Sequence, residues 1–550
     1  MSDPSTSELA ITRRGFVATA AAAAGAALLV PDRLPAAPAL VGRGDQSTER
    51  AFALEEKTIG QLQAGLASGE YTARTLVEQY LARIESMDRR GPALHHVIET
   101  NPDALAIADA LDGERRNGRT RGALHGIPVL VKDNIDTADR MTTTAGSLAL
   151  EGSHPTRDAF VAERLRAAGA VILGKTNLSE WANFRSTHSS SGWSGRGGQG
   201  RNPYALDRTP SGSSSGSGGA VAASYCAVAV GTETDGSVTS PSAACSLVGM
   251  KPTIGLVSRS GIIPIAHSQD TAGPMARTVT DAAILLGVLA GADPRDPVTT
   301  TRRPAAVDYV RALDAAGLRG ARIGVARKTY TGYSAVTDAA FEQAVRAMKD
   351  AGAVIGDPAD IATAGKFDDA EFEVLLYEFK ADLETYLRTL PAGARARTLD
   401  DLIAFNKAHA AAELPYFGQE IFEMAAKKGP LSTPAYRKAL DKCRLLSRTQ
   451  GLDATFAKHR LDALVAPTQG PPSTIDLVNG EKSTGSSTTP CAVAGYPAIT
   501  VPMGYAFGLP LGVTFMGRPW SEAALLKYAY AFEQATKHRQ PPRYLATAEL

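Results

Sequence analysis

Two serines and one lysine stand where a chain can present them for nucleophilic chemistry. Ser237 ends the segment Gly-Thr-Glu-Thr-Asp-Gly-Ser (231–237), in which the preceding glycine allows a tight turn and leaves the hydroxyl open. Ser213 lies in a Ser- and Gly-rich segment, and Lys132 follows an apolar run. A buried lysine can lose its charge and act as a base. These residues predict a hydrolase that needs no histidine, with a serine nucleophile and a lysine base.

The turn before the serine predicts an oxyanion hole. Successive backbone N–H groups of Thr234, Asp235, Gly236 and Ser237 can converge on one oxygen and stabilise developing negative charge. An ordinary Gly-Ser turn is the alternative interpretation.

Lys132 can serve as a base only in its neutral form. An unperturbed lysine has a pKa of about 10.4, so burial must lower that pKa before the amine is neutral near pH 7. Asp133 and Asp136 follow closely in the sequence, and contact of either carboxylate with the amine would oppose this shift. A solvated lysine at a strand end is the alternative.

The apolar pattern indicates strands that alternate with helices. Short apolar runs typical of buried strands occur at 129–131, 170–173 and 226–230, and helical spacing dominates residues 335–460. The Ser- and Gly-rich segment 185–218 lies between patterned stretches, so we expect an ordered active-site loop rather than a linker. The alternation predicts an α/β fold with a mixed or parallel sheet.

A second serine offers another interpretation of the Ser- and Gly-rich segment. Residues 212–216 formally match the Gly-x-Ser-x-Gly nucleophile elbow, with Ser214 as the nucleophile. That motif follows a strand, and residues 207–211 do not have the pattern of one. We therefore favour Ser237 as the nucleophile.

These segments, with several others, resemble the amidase signature family of serine hydrolases. The resemblance runs from about residue 58 to about residue 530 and is densest from 125 to 280. Its elements are His125-Gly126-Ile127-Pro128 leading to Lys132, the Ser/Gly loop 211–217, and the segments 231–255, 269–277 and 495–502. Such an extended set is very specific.

The resemblance implies the fold and the chemistry together. The fold is α/β, with a single large mixed β-sheet surrounded by helices. The family's Ser–cis-Ser–Lys triad assigns Ser237 as the nucleophile, Ser213 as the bridging serine after a cis peptide bond, and Lys132 as the base. Ser237 would attack an amide carbonyl and form an acyl-enzyme, which water then hydrolyses. The resemblance implies no metal and no organic cofactor.

Three departures from the family pattern resemble the peptide amidase branch, which removes the C-terminal amide from peptides. Asp235 stands where glycine is common, Thr239 where arginine is usual, and Ser211 and Ser215 where glycines are common. We therefore predict hydrolysis of peptide amides or amino-acid amides to acid and ammonia. The alternatives are an amidase for aryl, aliphatic or fatty-acid amides and a non-catalytic binding protein. A glutamine-dependent transamidase fits poorly with an export signal.

Asp235, Ser214 and Trp193 are the candidate substrate contacts. A carboxylate at 235 would repel a free C-terminal carboxylate and tolerate a neutral carboxamide. A structural aspartate in a turn is the alternative. The loop of Trp193 also carries Arg196 and Arg201, and it either lines the pocket or is solvated.

The N-terminal sequence has the pattern of a twin-arginine export signal. Arg13-Arg14 precedes an alanine-rich apolar run, which is shorter than the about 20 residues that span a bilayer. The predicted organisation is an export signal at 1–39, a linker at 40–55, and an amidase signature domain at 56–550 with a mostly helical insertion around 335–460. The predicted destination is periplasmic or secreted, and a retained membrane anchor is the alternative.

The composition of the chain limits the classes of binding partner that we expect. The formal net charge of +1 shows no electrostatic footprint for nucleic acid or an anionic membrane, which favours a small-molecule or peptide amide substrate. We expect no stable membrane span once the signal is cleaved. The four cysteines lack zinc spacing, and we expect free thiols, with a disulfide as the alternative.

Overall fold

The structure is a computed structural model that describes residues 52–301 and 307–550. The predicted export signal and most of the predicted linker lie outside the described residues, and both stay predictions. Residues 54–550 form one compact unit. Leu54 is already completely buried in this unit.

The centre of the unit is one mixed β-sheet, which within the described residues has eleven strands in the order β1-β3-β2-β6-β8-β7-β12-β13-β11-β9-β10. A two-stranded sheet of β4 and β5 lies apart from it. The strands are β1 (Val97–Thr100), β2 (Pro128–Lys132), β3 (Val171–Thr176), β4 (Trp193–Ser194), β5 (Gly198–Gln199), β6 (Val228–Glu233), β7 (Val248–Lys251), β8 (Thr271–Ala276), β9 (Arg322–Val325), β10 (Val354–Gly356), β11 (Ala463–Pro467), β12 (Ala498–Ala506) and β13 (Leu509–Met516).

Helices accompany this sheet along the whole described chain. The α-helices are α1 (Ile59–Ser68), α2 (Ala73–Ile84), α3 (Ala104–Arg116), α4 (Phe160–Ala167), α5 (Ser215–Ala222), α6 (Thr239–Ala244), α7 (Val279–Leu289), α8 (Ala335–Asp350), α9 (Asp368–Leu387), α10 (Leu399–Ala408), α11 (Ala410–Glu413), α12 (Glu420–Ala426), α13 (Pro434–Arg444), α14 (Asp453–His459), α15 (Thr489–Ala494) and α16 (Glu522–Thr536).

Three parallel strands form the part of the sheet that matters for the site. β2 lies between β3 and β6 and is parallel to both, so the carboxyl ends of all three strands meet at one edge. Every residue of these strands is buried, as expected for strands covered on both faces. The sheet is mixed because β8 pairs antiparallel with β6, which confirms the predicted architecture.

The region predicted as a mostly helical insertion contains α8 to α14 and the short edge strand β10. β10 pairs in parallel with β9, so this part of the region extends the main sheet. Helices α9, α10 and α12 pack with a segment around Trp181 and Phe184 in one apolar cluster. This packing brings the helical region against the predicted active-site loop.

Two sequence predictions concern the chemistry of the chain as a whole. Cys226, Cys245, Cys443 and Cys491 are all buried free thiols, as predicted. Among the residues that the structure describes, no helix has both the length and the apolar character needed to cross a bilayer.

Candidate active site

Lys132 ends β2 and is completely buried. Its Nζ lies 2.8 Å from Ser213 Oγ, in hydrogen-bonding contact. Nζ also lies 2.9 Å from Thr232 Oγ1 and 3.3 Å from the Thr232 carbonyl oxygen, on the neighbouring strand β6. The amine therefore has uncharged groups as hydrogen-bonding partners, and one of them is the predicted bridging serine.

The surroundings of Lys132 favour its neutral form. Burial lowers the pKa of Lys132 to about 7, although the negative charges of Asp270 and Glu233 partly oppose this shift. Asp133 and Asp136, which could have kept the amine charged, make their hydrogen bonds elsewhere. Asp133 accepts from Thr144 and Asp136 accepts from Tyr386. A lysine with a pKa near 7 can accept a proton at neutral pH.

Ser213 lies just before α5 in the Ser- and Gly-rich loop, and the peptide bond between Gly212 and Ser213 is cis. The side chain of Ser213 is completely buried. The next residue ties this loop to the predicted nucleophile, because the Ser214 N–H donates to the Ser237 carbonyl oxygen at 3.1 Å. The segments that carry the two serines of the predicted triad are therefore in direct contact.

Ser237 sits in the turn between β6 and α6. The preceding Gly236 has a φ of 79°, in the left-handed region that favours glycine. A Cβ at this position would meet Ser240 Oγ and Thr488 Oγ1, each at 2.9 Å. Glu233 Oε2 fixes the end of the turn by accepting from the N–H groups of Val238 and Thr239, at 2.8 and 2.9 Å. The backbone conformation before the predicted nucleophile thus favours glycine, and a side chain there would crowd two neighbouring hydroxyls.

Asp235 lies beside this turn and is held by the N-terminal end of α15. Its Oδ1 accepts from Thr488 Oγ1 at 2.5 Å, and its Oδ2 accepts from Thr489 Oγ1 at 2.8 Å. These contacts give the carboxylate a structural function in the turn. Its predicted effect on the substrate stays a prediction.

The other candidate substrate contacts are engaged within the protein. Ser214 is completely buried, and its Oγ donates to the Thr232 carbonyl at 3.0 Å and accepts from the Thr232 N–H at 3.1 Å. The Trp193 ring packs edge-on to Phe417 and lies against the Arg185 guanidinium. A substrate contact by Ser214 or Trp193 therefore stays a prediction.

Arg196, on the loop of Trp193, pairs with Glu99 at 2.8 Å. Arg201, on the same loop, donates its main-chain N–H to the carbonyl oxygen of Leu94 at 3.0 Å. The described loop residues are thus ordered by contacts with the protein body.

Three polar residues of the site were given no individual role by the sequence. Thr232 bridges Lys132 and Asn134, whose Nδ2 donates to Thr232 Oγ1 at 3.0 Å. Asp270 Oδ1 accepts from Thr234 Oγ1 at 2.6 Å. Thr232 and Asp270 lie in segments that resemble the amidase signature family, and Asn134 lies two residues after Lys132, so their positions were available as a signal. The hydrogen-bonding partners of these three residues could not be predicted, because the contacts join strands and loops that are far apart in the sequence.

A cleft of about 310 Å³ reaches this polar group from outside. Its lining includes the polar residues Asn134, Thr232, Thr234 and Asp270. The lining also includes Arg259, His267, Asp296 and Asp382, together with Ile263 and Ile265. Thr232 connects this cleft to Lys132, since it lines the cleft and its Oγ1 lies 2.9 Å from Lys132 Nζ.

One group of side chains on this wall has the composition of a metal site. Ligating atoms of His267, Glu378 and Asp382 lie within 4.8 Å of one another. They already pair among themselves, since His267 Nδ1 lies 2.8 Å from Asp382 Oδ2 and Nε2 lies 3.5 Å from Glu378 Oε1. Tyr436 donates to Glu378 Oε1 at 2.7 Å. We assign this group to an ion-pair network and give it no part in the chemistry.

Comparison with known proteins places this site in a family. The amidase family model matches residues 75–526. A probable amidase of Arabidopsis thaliana is 42% identical over 506 residues, covering 90% of this chain and 93% of that protein. A glutamyl-tRNA(Gln) amidotransferase subunit of Chloroflexus aurantiacus is 36% identical, covering 89% of this chain and 99% of that protein.

A solved structure shows the same fold. The native peptide amidase from Stenotrophomonas maltophilia is 52% identical to this chain, with a TM-score of 0.86, covering 90% of this chain and 99% of that chain. Sequence and structure thus agree over most of the chain. The chain belongs to the amidase signature family of amide-hydrolysing enzymes.

Proposed function

We propose that this enzyme is a serine amidohydrolase that removes the C-terminal amide of peptides or amino-acid amides and releases ammonia. The observation that carries the mechanism is the contact of 2.8 Å between the buried Lys132 Nζ and Ser213 Oγ. This contact links an amine with a pKa of about 7 to the serine that would carry the proton from Ser237 to the base.

The proposed reaction proceeds by two acyl transfers. Lys132 takes the proton of Ser213, which takes that of Ser237, while the Ser237 Oγ forms a bond to the amide carbonyl carbon. Collapse of the tetrahedral intermediate breaks the C–N bond, and the relay returns the proton to the departing nitrogen as ammonia leaves. Water then attacks the ester carbonyl and gives a proton to the relay. The bond between Ser237 Oγ and the acyl carbon breaks, and the relay returns the proton to Ser237 as the acid leaves. Backbone N–H groups of residues 234–237 stabilise the oxyanion in both halves.

The proposed substrate class rests on two observations. The chain is 52% identical over almost the whole length of a peptide amidase. It also has Asp235, which combines a negative charge with a position next to the predicted oxyanion hole. A free C-terminal carboxylate would meet like charge there, whereas a carboxamide would not.

A panel of amides tests the function directly. The purified protein is incubated with peptide amides, amino-acid amides, aryl amides and fatty-acid amides, and ammonia release is measured. We expect the highest kcat/KM for peptide or amino-acid amides. Preference for aryl or fatty-acid amides would select the broader amidase instead. Ammonia release from none of them, together with no labelling by a covalent serine probe, would favour a binding protein.

The nucleophile is tested by Ser237→Ala. We expect kcat to fall by about 10⁶-fold, because no other hydroxyl can form the acyl-enzyme. Labelling by the serine probe should disappear as well. Ser214→Ala is the matched comparison, since the elbow interpretation would require the large loss there. Substantial activity in Ser237→Ala would contradict the mechanism.

The role of Asp235 is tested by product inhibition. In Asp235→Asn we expect the peptide acid to bind up to about fivefold more tightly, because a partly solvated charge contributes less than about 1 kcal/mol. Asp314→Asn removes an equal charge from an exposed turn and should leave inhibition unchanged. Unchanged inhibition in Asp235→Asn would limit this residue to the structural function that its threonine contacts show.

A further inference from the structure

Asp270 lines the cleft together with Thr232, whose Oγ1 lies 2.9 Å from the Nζ of the proposed base Lys132. Its Oδ1 accepts from Thr234 Oγ1 at 2.6 Å. Its Oδ2 accepts from the N–H groups of Ile265 and Ala266, at 2.8 and 2.9 Å. One half-buried carboxylate thus connects a turn of the cleft wall to the first residue of the predicted oxyanion hole.

Thr234 is held a second time by the residue before Asp270. Gln269 Nε2 lies 3.4 Å from the Thr234 carbonyl oxygen and donates to Glu371 Oε1 on α9 at 2.9 Å. The side chain and the main chain of Thr234 are therefore both fixed from the same short segment. Because the orientation of residue 234 directs the N–H groups that follow, this segment controls the geometry of the oxyanion hole.

Asp270 also contributes charge to the site. The carboxylates that act on Lys132 are Asp270 and Glu233, and both favour the charged amine. The negative charge of Asp382 raises the pKa of Asp270, and the negative charge of Asp270 raises the pKa of Arg259. All three side chains line the cleft. Burial raises the pKa of Asp270 to about 6, so the carboxylate is mostly charged where Lys132 titrates.

We propose that Asp270 is a positioning residue for amide hydrolysis, which orients Thr234 at the start of the oxyanion hole and places a negative charge beside the Lys132 base. This inference rests on the proposed function. It extends that function to a residue outside the Ser–Ser–Lys triad, through two separable effects.

Three variants separate these effects. Asp270→Asn removes the charge and disturbs the hydrogen bonds to the cleft wall. Thr234→Val removes only the hydroxyl and leaves the carboxylate. Asp88→Asn is the matched control, because Asp88 also accepts two backbone N–H groups, from His96 and Val97, and burial raises its pKa to about 6 as well. Ammonia release is measured against pH for each, and a melting curve confirms folding.

We expect kcat to fall about 10- to 100-fold in both Asp270→Asn and Thr234→Val, because a small displacement of the oxyanion donors is costly. The acidic limb of the pH profile should move to lower pH by about one unit in Asp270→Asn only, because the charge that favours the ammonium is gone. Asp88→Asn should keep the wild-type limb.

Four results would overturn the proposal. These are a wild-type limb in Asp270→Asn, the same displacement in Asp88→Asn, wild-type kcat in Asp270→Asn and wild-type kcat in Thr234→Val. Wild-type kcat in Thr234→Val would overturn the proposal even if Asp270→Asn does not fold. Absence of activity in the wild-type protein would instead refute the proposed function, so the two failures are distinguishable.

Discussion

Lys132 and Lys175 are both completely buried, on the neighbouring parallel strands β2 and β3, yet their surroundings differ in kind. The Nζ of Lys132 contacts Ser213 and Thr232. The Nζ of Lys175 lies 2.6 Å from the Ile135 carbonyl oxygen and 2.8 Å from Thr143 Oγ1. One amine contacts the predicted bridging serine, and the other contacts a structural turn.

Lys175 differs from Lys132 in the number of carboxylates whose charges act on it. Burial lowers its pKa too, but the carboxylates of Asp133, Asp136, Asp139 and Glu99 all oppose the shift. The strand register separates the two amines, since Lys175 pairs with Val131 and Lys132 pairs with Thr176. Successive side chains of a strand point to opposite faces, so the amines lie on different sides of the sheet. Burial lowers the pKa of both lysines, so the contacts of the two amines distinguish them: only Lys132 contacts Ser213.

Replacing Lys132 should have the larger effect on catalysis. In Lys132→Met we expect kcat/KM near neutral pH to fall by about 10²–10⁴-fold, because the relay loses its base. The methionine fills similar volume, so the protein should remain folded. Ammonia release measures the loss of activity, and a melting curve shows whether the variant is folded. Activity close to wild type would remove Lys132 from the mechanism.

Replacing Lys175 should instead act on stability. Lys175→Met removes a buried cation that lowers the pKa of the carboxyls of Asp133 and Asp136, although Arg196 remains 3.8 Å from Asp133, and such a loss costs about 3–5 kcal/mol. We expect the free energy of unfolding to fall by that amount while the folded enzyme keeps most of its kcat. Denaturant unfolding measures the free energy of unfolding. The control is Lys349→Met, at an exposed position of α8, which should change this free energy by no more than about 0.5 kcal/mol. A stable but inactive Lys175→Met would contradict the division between the two lysines.

The pH profile gives the finest test of the comparison. The base must be neutral, and burial places the pKa of Lys132 at about 7. Below that pH the amine is protonated, so kcat/KM should fall about tenfold per pH unit, and above it the rate should level off. The limb should be absent from the residual activity of Lys132→Met. A limb near the ordinary pKa of lysine, about 10.4, would show that the amine is not desolvated as described.

Much of the site could be predicted from local sequence. The apolar run before Lys132 predicted a buried strand, and the structure shows Pro128–Lys132 in β2. The glycine before Ser237 predicted a tight turn, and Gly236 has positive φ. Both predictions succeed because strand burial and glycine conformation depend on a few adjacent residues.

Other features depended on contacts between distant segments. Asp133 and Asp136 were possible partners of Lys132 on sequence, but they accept hydrogen bonds from Thr144 and Tyr386, and their charges act on Lys175. Asp235 meets Thr488 and Thr489 at the start of α15, which no local pattern indicates. The importance of Asp270 became visible only when its contact with Thr234 was known.

The sequence by itself determined the residue types, the strand that ends in Lys132, the turn that presents Ser237 and the resemblance to a family. Only the tertiary structure decided which hydroxyls and carboxylates surround each buried amine and which side chains hold the segment of the predicted oxyanion hole. The physical reason is that a pKa depends on burial and on charges a few ångströms away. Those distances are set by the packing of strands and loops that are far apart along the chain.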